Sequence, residues 1–178
     1  MIGTALANPG KQMREAAHSP FGSVLPIDVV KARLSGQRAL ILDDDAETFG
    51  RIFMSLAAAG CRATLARRRI QAFQVAERTL PTLIIFSTSL DDARPAELLA
   101  EFQANPATAS AVLVALAPED SKRERRRLTE LGCHGYLWKP ADRYLFATEL
   151  LKRTPCLLGP TGVPSRARDE AEPLSNVA

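Results

Sequence analysis

Histidine occurs twice in this chain of 178 residues, cysteine three times, tyrosine twice and tryptophan once. His18 and His134 are too few and too far apart for a His-rich metal centre. Cys61, Cys133 and Cys156 are odd in number and lack CxxC spacing, which argues against a zinc site or a disulfide framework and for reduced thiols. No apolar run approaches the roughly 18 to 20 residues that a membrane span needs. The opening MIGTALANPGKQMREAAHSPFG has no continuous apolar core of signal-peptide type, so a cytoplasmic location is the default expectation. Neither sign of charge dominates, with 23 Lys and Arg against 20 Asp and Glu. A net charge of +3 permits a basic patch but does not by itself point to nucleic acid.

What is present suits a globular protein: 46% hydrophobic and 24% charged residues, with length for one domain and its tails. Residues 1–25 are polar and aperiodic and read as a mobile tail. Residues 26–36 read as a short helix and linker, with Pro26 near its first turn, Ile27, Val30 and Leu34 on one side, and Gly36 as its stop. Residues 37–153 carry the folded domain. Residues 154–178, with several prolines and mixed charge, read as a second disordered tail.

Within the domain, apolar runs alternate with helical patterns. Ala39–Leu42 ends at Asp43-Asp44-Asp45, and a helix follows with Phe49, Ile52, Phe53 and Leu56 on one face and Gly60 as its cap. Cys61–Leu65 is a second strand, and Ile70–Leu80 a helix with Ile70, Phe73 and Ala76 inward. Leu83–Phe86 is the third strand, ending at Ser87. Pro95 starts a helix that packs Leu98, Leu99 and Phe102. Ala111–Leu116, entirely apolar, reads as a central fourth strand. Ser121 and Glu124 fit a capping box for a helix that stops at Gly132. Gly135–Trp138 is the fifth strand, and Asp142 can cap a last helix reaching Lys152. Continuous apolar strands between helices predict a doubly wound, five-stranded parallel α/β sheet. Ligands of such sheets bind beyond the carboxyl ends of the strands. Those ends are Asp43-Asp44-Asp45, Ser87-Thr88, Ala117-Pro118 and Lys139-Pro140.

Leu40-Ile-Leu-Asp-Asp-Asp45, Pro81-Thr-Leu-Ile-Ile-Phe-Ser87 and Leu131-Gly-Cys-His-Gly-Tyr-Leu-Trp-Lys-Pro140 together resemble a response-regulator receiver domain, over about residues 38–153. The separations are similar to the family's: 43 residues from Asp44 to Ser87, 30 from Ser87 to Ala117 and 22 from Ala117 to Lys139. The resemblance implies a flavodoxin-like (βα)5 fold. It also implies a mechanism in which an aspartate after strand three takes a phosphoryl group from a kinase histidine, with Mg²⁺ clamping the phosphoryl oxygens. Asp43 and Asp44 match the acidic pair, Lys139 the lysine, Pro140 the proline after it and Tyr136 the aromatic switch.

The departures fall where the chemistry is. Ser87 stands at the acceptor position and cannot form an acyl phosphate; it also removes one of three anionic Mg²⁺ ligands, so Asp43 and Asp44 would hold only a weak site. Ala117 stands at the switch position without a hydroxyl. Together they imply a degenerate pseudo-receiver: a non-enzymatic, phosphorylation-independent signalling adaptor without a required cofactor. Its implied partner is a protein, such as a histidine kinase or another two-component element. Asp44 and Lys139 are expected to persist as an ion pair across the site.

Two alternatives stay open. Asp91 or Asp92 could be a displaced acceptor, although a shift of four or five residues moves the carboxylate by several ångströms, at about 3.3 Å per extended residue. Alternatively, arginines cluster at Arg67-Arg68-Arg69 and at Lys122-Arg123 with Arg125-Arg126-Arg127. Solvated helix faces explain them, but guanidinium forks also recognise phosphates. Arg123, Arg125, Arg126 and Arg127 are therefore candidate ligands of a cyclic dinucleotide such as cyclic-di-GMP, a ligand that some receivers resembling this one bind. Duplex DNA is disfavoured for want of a recognition-helix module. Tyr136 and Trp138, two apart on strand five, are expected on one side of it as core packing or as a partner surface. Asp45 reads as a helix cap. Cys133 and His134 read as loop residues that pack or face solvent.

Overall fold

Strands that are apolar on both faces need cover on both faces, and alternation along each strand sends neighbouring side chains to opposite layers. The computed structural model describes residues 25–139 and 145–158. Arg38–Leu42 (β1), Arg62–Ala66 (β2), Leu83–Ser87 (β3), Val112–Ala117 (β4) and Gly135–Trp138 (β5) pair in parallel in the order β2-β1-β3-β4-β5. The helices are Ile27–Leu34 (α1), Ala46–Ala58 (α2), Arg69–Thr79 (α3), Pro95–Ala104 (α4), Lys122–Glu130 (α5) and Phe146–Arg153 (α6), followed by a 3₁₀ turn at Pro155–Leu158. The doubly wound fold expected from the sequence is the one observed. Its middle strand is β3, with β4 beside it.

Two cores flank the sheet. Leu40, Leu42, Ile84, Phe86, Leu113 and Ala115 face α3, α4 and α5, where they meet Ala76, Leu99, Phe102 and Leu128. The intervening residues Ile41, Ile85, Val114 and Leu116 face the other way, onto α1, α2 and α6, where they meet Leu34, Ile52, Leu56 and Leu150. The helix at 27–34 therefore belongs to the folded body, through Val30 and Leu34. So does the chain just past α6, where Leu157 is buried, and residues 154–158 thereby differ from the tail expected from residue 154 onward.

Several helix faces differ from the periodic reading. Ile70 is 68% exposed, because α3 starts only at Arg69 and its buried stripe is Ala72, Val75 and Ala76. Phe53 is also exposed, tilted against the half-buried Phe49 at 5.6 Å, while Ile52 and Leu56 take the core positions. The capping box forms only by half. Ser121 accepts from the Glu124 N–H at 3.3 Å, but the Glu124 carboxylate is engaged elsewhere. The proposed Asp142 cap and Pro140 lie outside the described residues.

Candidate functional site

Parallel register carries the strand ends to one edge of the sheet. Leu42 pairs with Phe86, Ser87 with Leu116, and Ala117 with Trp138. Backbone bonds extend the ladder one step: the Asp43 N–H donates to Ala66 C=O at 3.1 Å, Thr88 N–H to Leu116 C=O at 2.9 Å, and Lys139 N–H to Ala117 C=O at 2.7 Å. Asp43 and Ser87 are consequently level, and Ala117 and Lys139 follow one and two steps further out along the same edge, so the four line one rim of the sheet.

Asp43 is the buried one of the three adjacent aspartates, 1% exposed. Its Oδ1 accepts from Lys139 Nζ at 3.0 Å and from the Asp45 N–H at 3.0 Å, while Oδ2 is buried without a partner among the described residues. Burial pushes the Asp43 carboxyl above the usual carboxylate range, against the opposing pull of the Asp45 amide and the Lys139 ammonium. The ion pair expected for Asp44 and Lys139 is thus made by Asp43. Asp43 continues the β1 ladder to the rim, whereas Asp44 is the first residue to turn out and is exposed. Asp45 caps α2, accepting from the Glu47 N–H at 3.0 Å and from the Thr48 hydroxyl, and the Thr48 bond holds its carboxyl below the ordinary range.

Ser87 is as buried as Asp43, and its Oγ lies 3.1 Å from Ser89 Oγ and 3.4 Å from the Ser89 amide. The hydroxyl thus bonds within its own loop. Ala117 is fully buried and has no polar side-chain atom. Beside it runs a contact that sequence reasoning missed. The Tyr136 hydroxyl donates to Glu124 Oε2 at 2.8 Å, and Thr88 Oγ1 approaches the same oxygen at 3.5 Å. Burial, then the Glu124 carboxylate, push the Tyr136 phenol up to about 12. The Ser-x-x-Glu signal found Glu124 but assigned it to the helix cap. The twelve-residue gap to Tyr136 carries no local pattern.

The residues do not make a cage for Mg²⁺. A hard dication needs about six oxygens with several anionic. Here Asp43 already holds an ammonium, Asp44 is out in solvent and Ser87 brings a neutral hydroxyl. Among the described residues no group of three or more His, Cys, Asp or Glu side chains is placed to hold a metal.

The other candidates are scattered. Tyr136 is buried in the α5 layer, whereas Trp138 is 42% exposed and stacks with Arg153 of α6 at 4.3 Å, so the two do not form one exposed surface. Strand β5 is an edge, which lets Trp138 lean around it. Arg125 is paired with Asp120 and lies 5.8 Å from the Tyr136 ring centroid, and Arg126 pairs with Glu130 at 2.8 Å. Arg123 and Arg127 make no ion pair among the described residues. Arg69 grips Glu101 at 2.6 and 2.7 Å, and its backbone N–H donates to Asp92 at 2.9 Å, so Asp92 is tied to the start of α3. Asp91 is exposed in the same loop. His134 is exposed, with Nδ1 accepting from the Leu113 N–H at 3.0 Å, and Cys133 is buried. No helix among the described residues is long and apolar enough to cross a membrane.

Known proteins agree with this frame. The chemotaxis response regulator CheY4 of Vibrio cholerae superposes with a TM-score of 0.59 at 19% identity, over 66% of this chain and 98% of its own. The chain has the receiver fold. The BeF3-activated receiver domain of RstA from Klebsiella pneumoniae matches with a TM-score of 0.57 at 19% identity, over 66% of this chain and 97% of its own. The orphan response regulator HP1043 of H. pylori matches at 0.57 and 16% identity, over 67% and 98%. In sequence, an uncharacterized 14.6 kDa protein from the sodA1 3′ region of Leptolyngbya boryana is 26% identical over 103 residues, 58% of this chain and 79% of that protein. No protein-family model matches.

Proposed function

We propose that this chain is a pseudo-receiver that works as a phosphorylation-independent adaptor in two-component-type signalling, binding a protein partner such as a histidine kinase. The observation that carries this reading is the rim of the sheet. Ser87 occupies the acceptor place with its hydroxyl bonded into its own loop, and Asp43, at the end of the neighbouring strand, is held by Lys139. A serine oxygen there has neither the charge nor the metal to take up a phosphoryl group from an acyl or histidyl donor. With Ala117 at the switch place, no hydroxyl on β4 could follow such a group. What persists is a scaffold whose surfaces are set without chemistry, which suits an adaptor rather than a phosphate store.

The test is incubation of the full chain with acetyl phosphate and Mg²⁺, followed by intact mass. The unmodified mass is expected. A phosphoryl adduct that disappears on replacing Asp91 and Asp92 together by Asn overturns the reading in favour of a displaced acceptor.

A further inference from the structure

We propose that α5 is a strap that opens on its own: its N-terminal half swings off the sheet while the five strands stay folded, and the Tyr136–Glu124 bond is its latch. The device needs no phosphate chemistry and does not depend on the adaptor reading.

Composition sets the helix against itself. Lys122, Arg123, Arg125, Arg126 and Arg127 fill five of the first six positions of α5. Lys122 lies one helical turn from Arg125 and Arg126, and Arg123 one turn from Arg126 and Arg127, so these like charges repel along the helix. Cations in the first turn also oppose the helix dipole, and Glu124 is the only acid there. The compensating ion pairs are weak. Arg126 and Glu130 are mostly exposed and run base before acid, the less favourable order, and the pair of Arg125 with Asp120 is partly exposed.

Packing offsets little of this. Leu128 is the only buried residue of α5, whereas β3 is buried along its whole length. The C-terminal end of the helix is fastened. There Gln103 Nε2 donates to the Leu131 C=O at 2.9 Å and the Cys133 N–H to the Leu128 C=O at 2.9 Å, and Gly132 turns the chain at a φ of 95°. The N-terminal half is tied differently. Glu124 Oε2 accepts the Tyr136 hydroxyl at 2.8 Å and lies 3.5 Å from Thr88 Oγ1, and the Arg125 guanidinium sits 5.8 Å from the Tyr136 ring centroid. The Glu124 and Arg125 contacts therefore converge on one side chain, Tyr136, which is 5% exposed with α5 in place. A helix that repels itself and is held through one phenol opens at a local cost, not at the cost of the whole fold. Opening brings Tyr136 to the surface, so one chain presents two surfaces.

The experiment is amide exchange of the full chain by ¹H–¹⁵N NMR, read as protection factors. At low salt, the amides of Arg125, Arg126, Arg127 and Leu128 are expected to be protected about 100-fold less than those of Ile84, Ile85 and Val114. Urea at ~1 M should leave the α5 factors unchanged while lowering those of the strands, because a local opening exposes little surface. Tyr136→Phe should lower α5 protection about tenfold, with the same indifference to urea. Arg123→Glu leaves the latch alone and relieves the repulsion, so it should raise α5 protection about fivefold. Salt at ~0.5 M should act in the same direction by screening. Equal protection of α5 and the strands, or α5 protection that falls with urea in step with theirs, overturns the proposal. So does α5 protection indifferent to Tyr136→Phe, to Arg123→Glu or to salt.

Discussion

Lys139 Nζ and Asp43 Oδ1 lie 3.0 Å apart across the end of the sheet, joining residues 96 positions apart in the chain. The carboxylate is fully buried and the lysine mostly so. Such a pair is dangerous to break and cheap to replace whole, because an unpartnered buried charge costs far more than the pair contributes.

Lys139→Met should therefore destabilise the fold by about 3 kcal/mol at neutral pH, and the double variant Asp43→Asn/Lys139→Met should recover most of that loss. The pH dependence has a definite sign. The folded-state pKa of Asp43 is raised, so its contribution to stability is fully present below the unfolded value of 3.8 and is lost as pH climbs through the higher folded value. Removing Lys139 raises that folded value further and widens the window. Urea unfolding at acid and neutral pH should show the Lys139→Met penalty shrinking on acidification. An equal penalty at both would refute the burial of Asp43.

Tyr136 and Glu124 give a second, alkaline window. The phenol sits near 12 against an ordinary 10.0, so the stability it lends is complete below about pH 10 and disappears between 10 and 12. Tyr136→Phe should cost about 1 to 2 kcal/mol at neutral pH, through the lost bond to a charged acceptor. It should also flatten the alkaline decline that denaturation of the unmodified chain shows in that range.

Much of this was legible in the sequence, for a physical reason. Residues along one rim of the sheet follow from strand ends, and strand ends follow from apolar runs such as Leu83–Phe86 giving way to polar residues. What alternation and helical periodicity could not supply was the partner of each side chain. Asp43 and Asp44 are equivalent as letters; only the extra ladder step from Asp43 to Ala66 decides which one stays inside. Glu124 had a local role to fill as a cap, and a tertiary partner, Tyr136, drew its carboxylate away. The buried continuation past α6 was illegible as well. There a Cβ on Gly135 would lie 2.4 Å from Thr154 Oγ1, so the glycine serves the crossing of a segment that composition assigned to the tail.

The thiols should separate cleanly in reactivity. Cys61 is buried and its thiol is pushed up to about 11 by burial, Cys133 is buried and shifted the same way, and Cys156 is exposed. The nucleophile is the thiolate, and burial pushes the Cys156 thiol up as well, so access rather than ionisation separates the three. An aromatic disulfide reagent should label one thiol quickly in the native protein and the other two only on denaturation. Cys156→Ser should abolish the fast phase; a fast phase that survives it would contradict the burial of Cys61 and Cys133.

Ser87→Asp probes the rim most directly. The new carboxylate enters a position that is 1% exposed, beside an Asp43 that already has a raised pKa and shares a single lysine. Without metal the variant should lose about 2 kcal/mol, the order expected for a buried charge with partial compensation. It also gains what the natural chain lacks, a second buried carboxylate able to bring a dication to the rim. A ligand that binds only the folded state stabilises it in proportion to the logarithm of its concentration over Kd, and for a chain of this size each kcal/mol moves the melting temperature by about 3 °C. Mg²⁺ at ~10 mM should thus raise the melting temperature of Ser87→Asp by about 5 °C while moving the natural chain by less than about 1 °C. If Mg²⁺ stabilised both equally, the serine would not be what closes the site to metal, and the case for a receiver scaffold stripped of its phosphate chemistry would lose its main support.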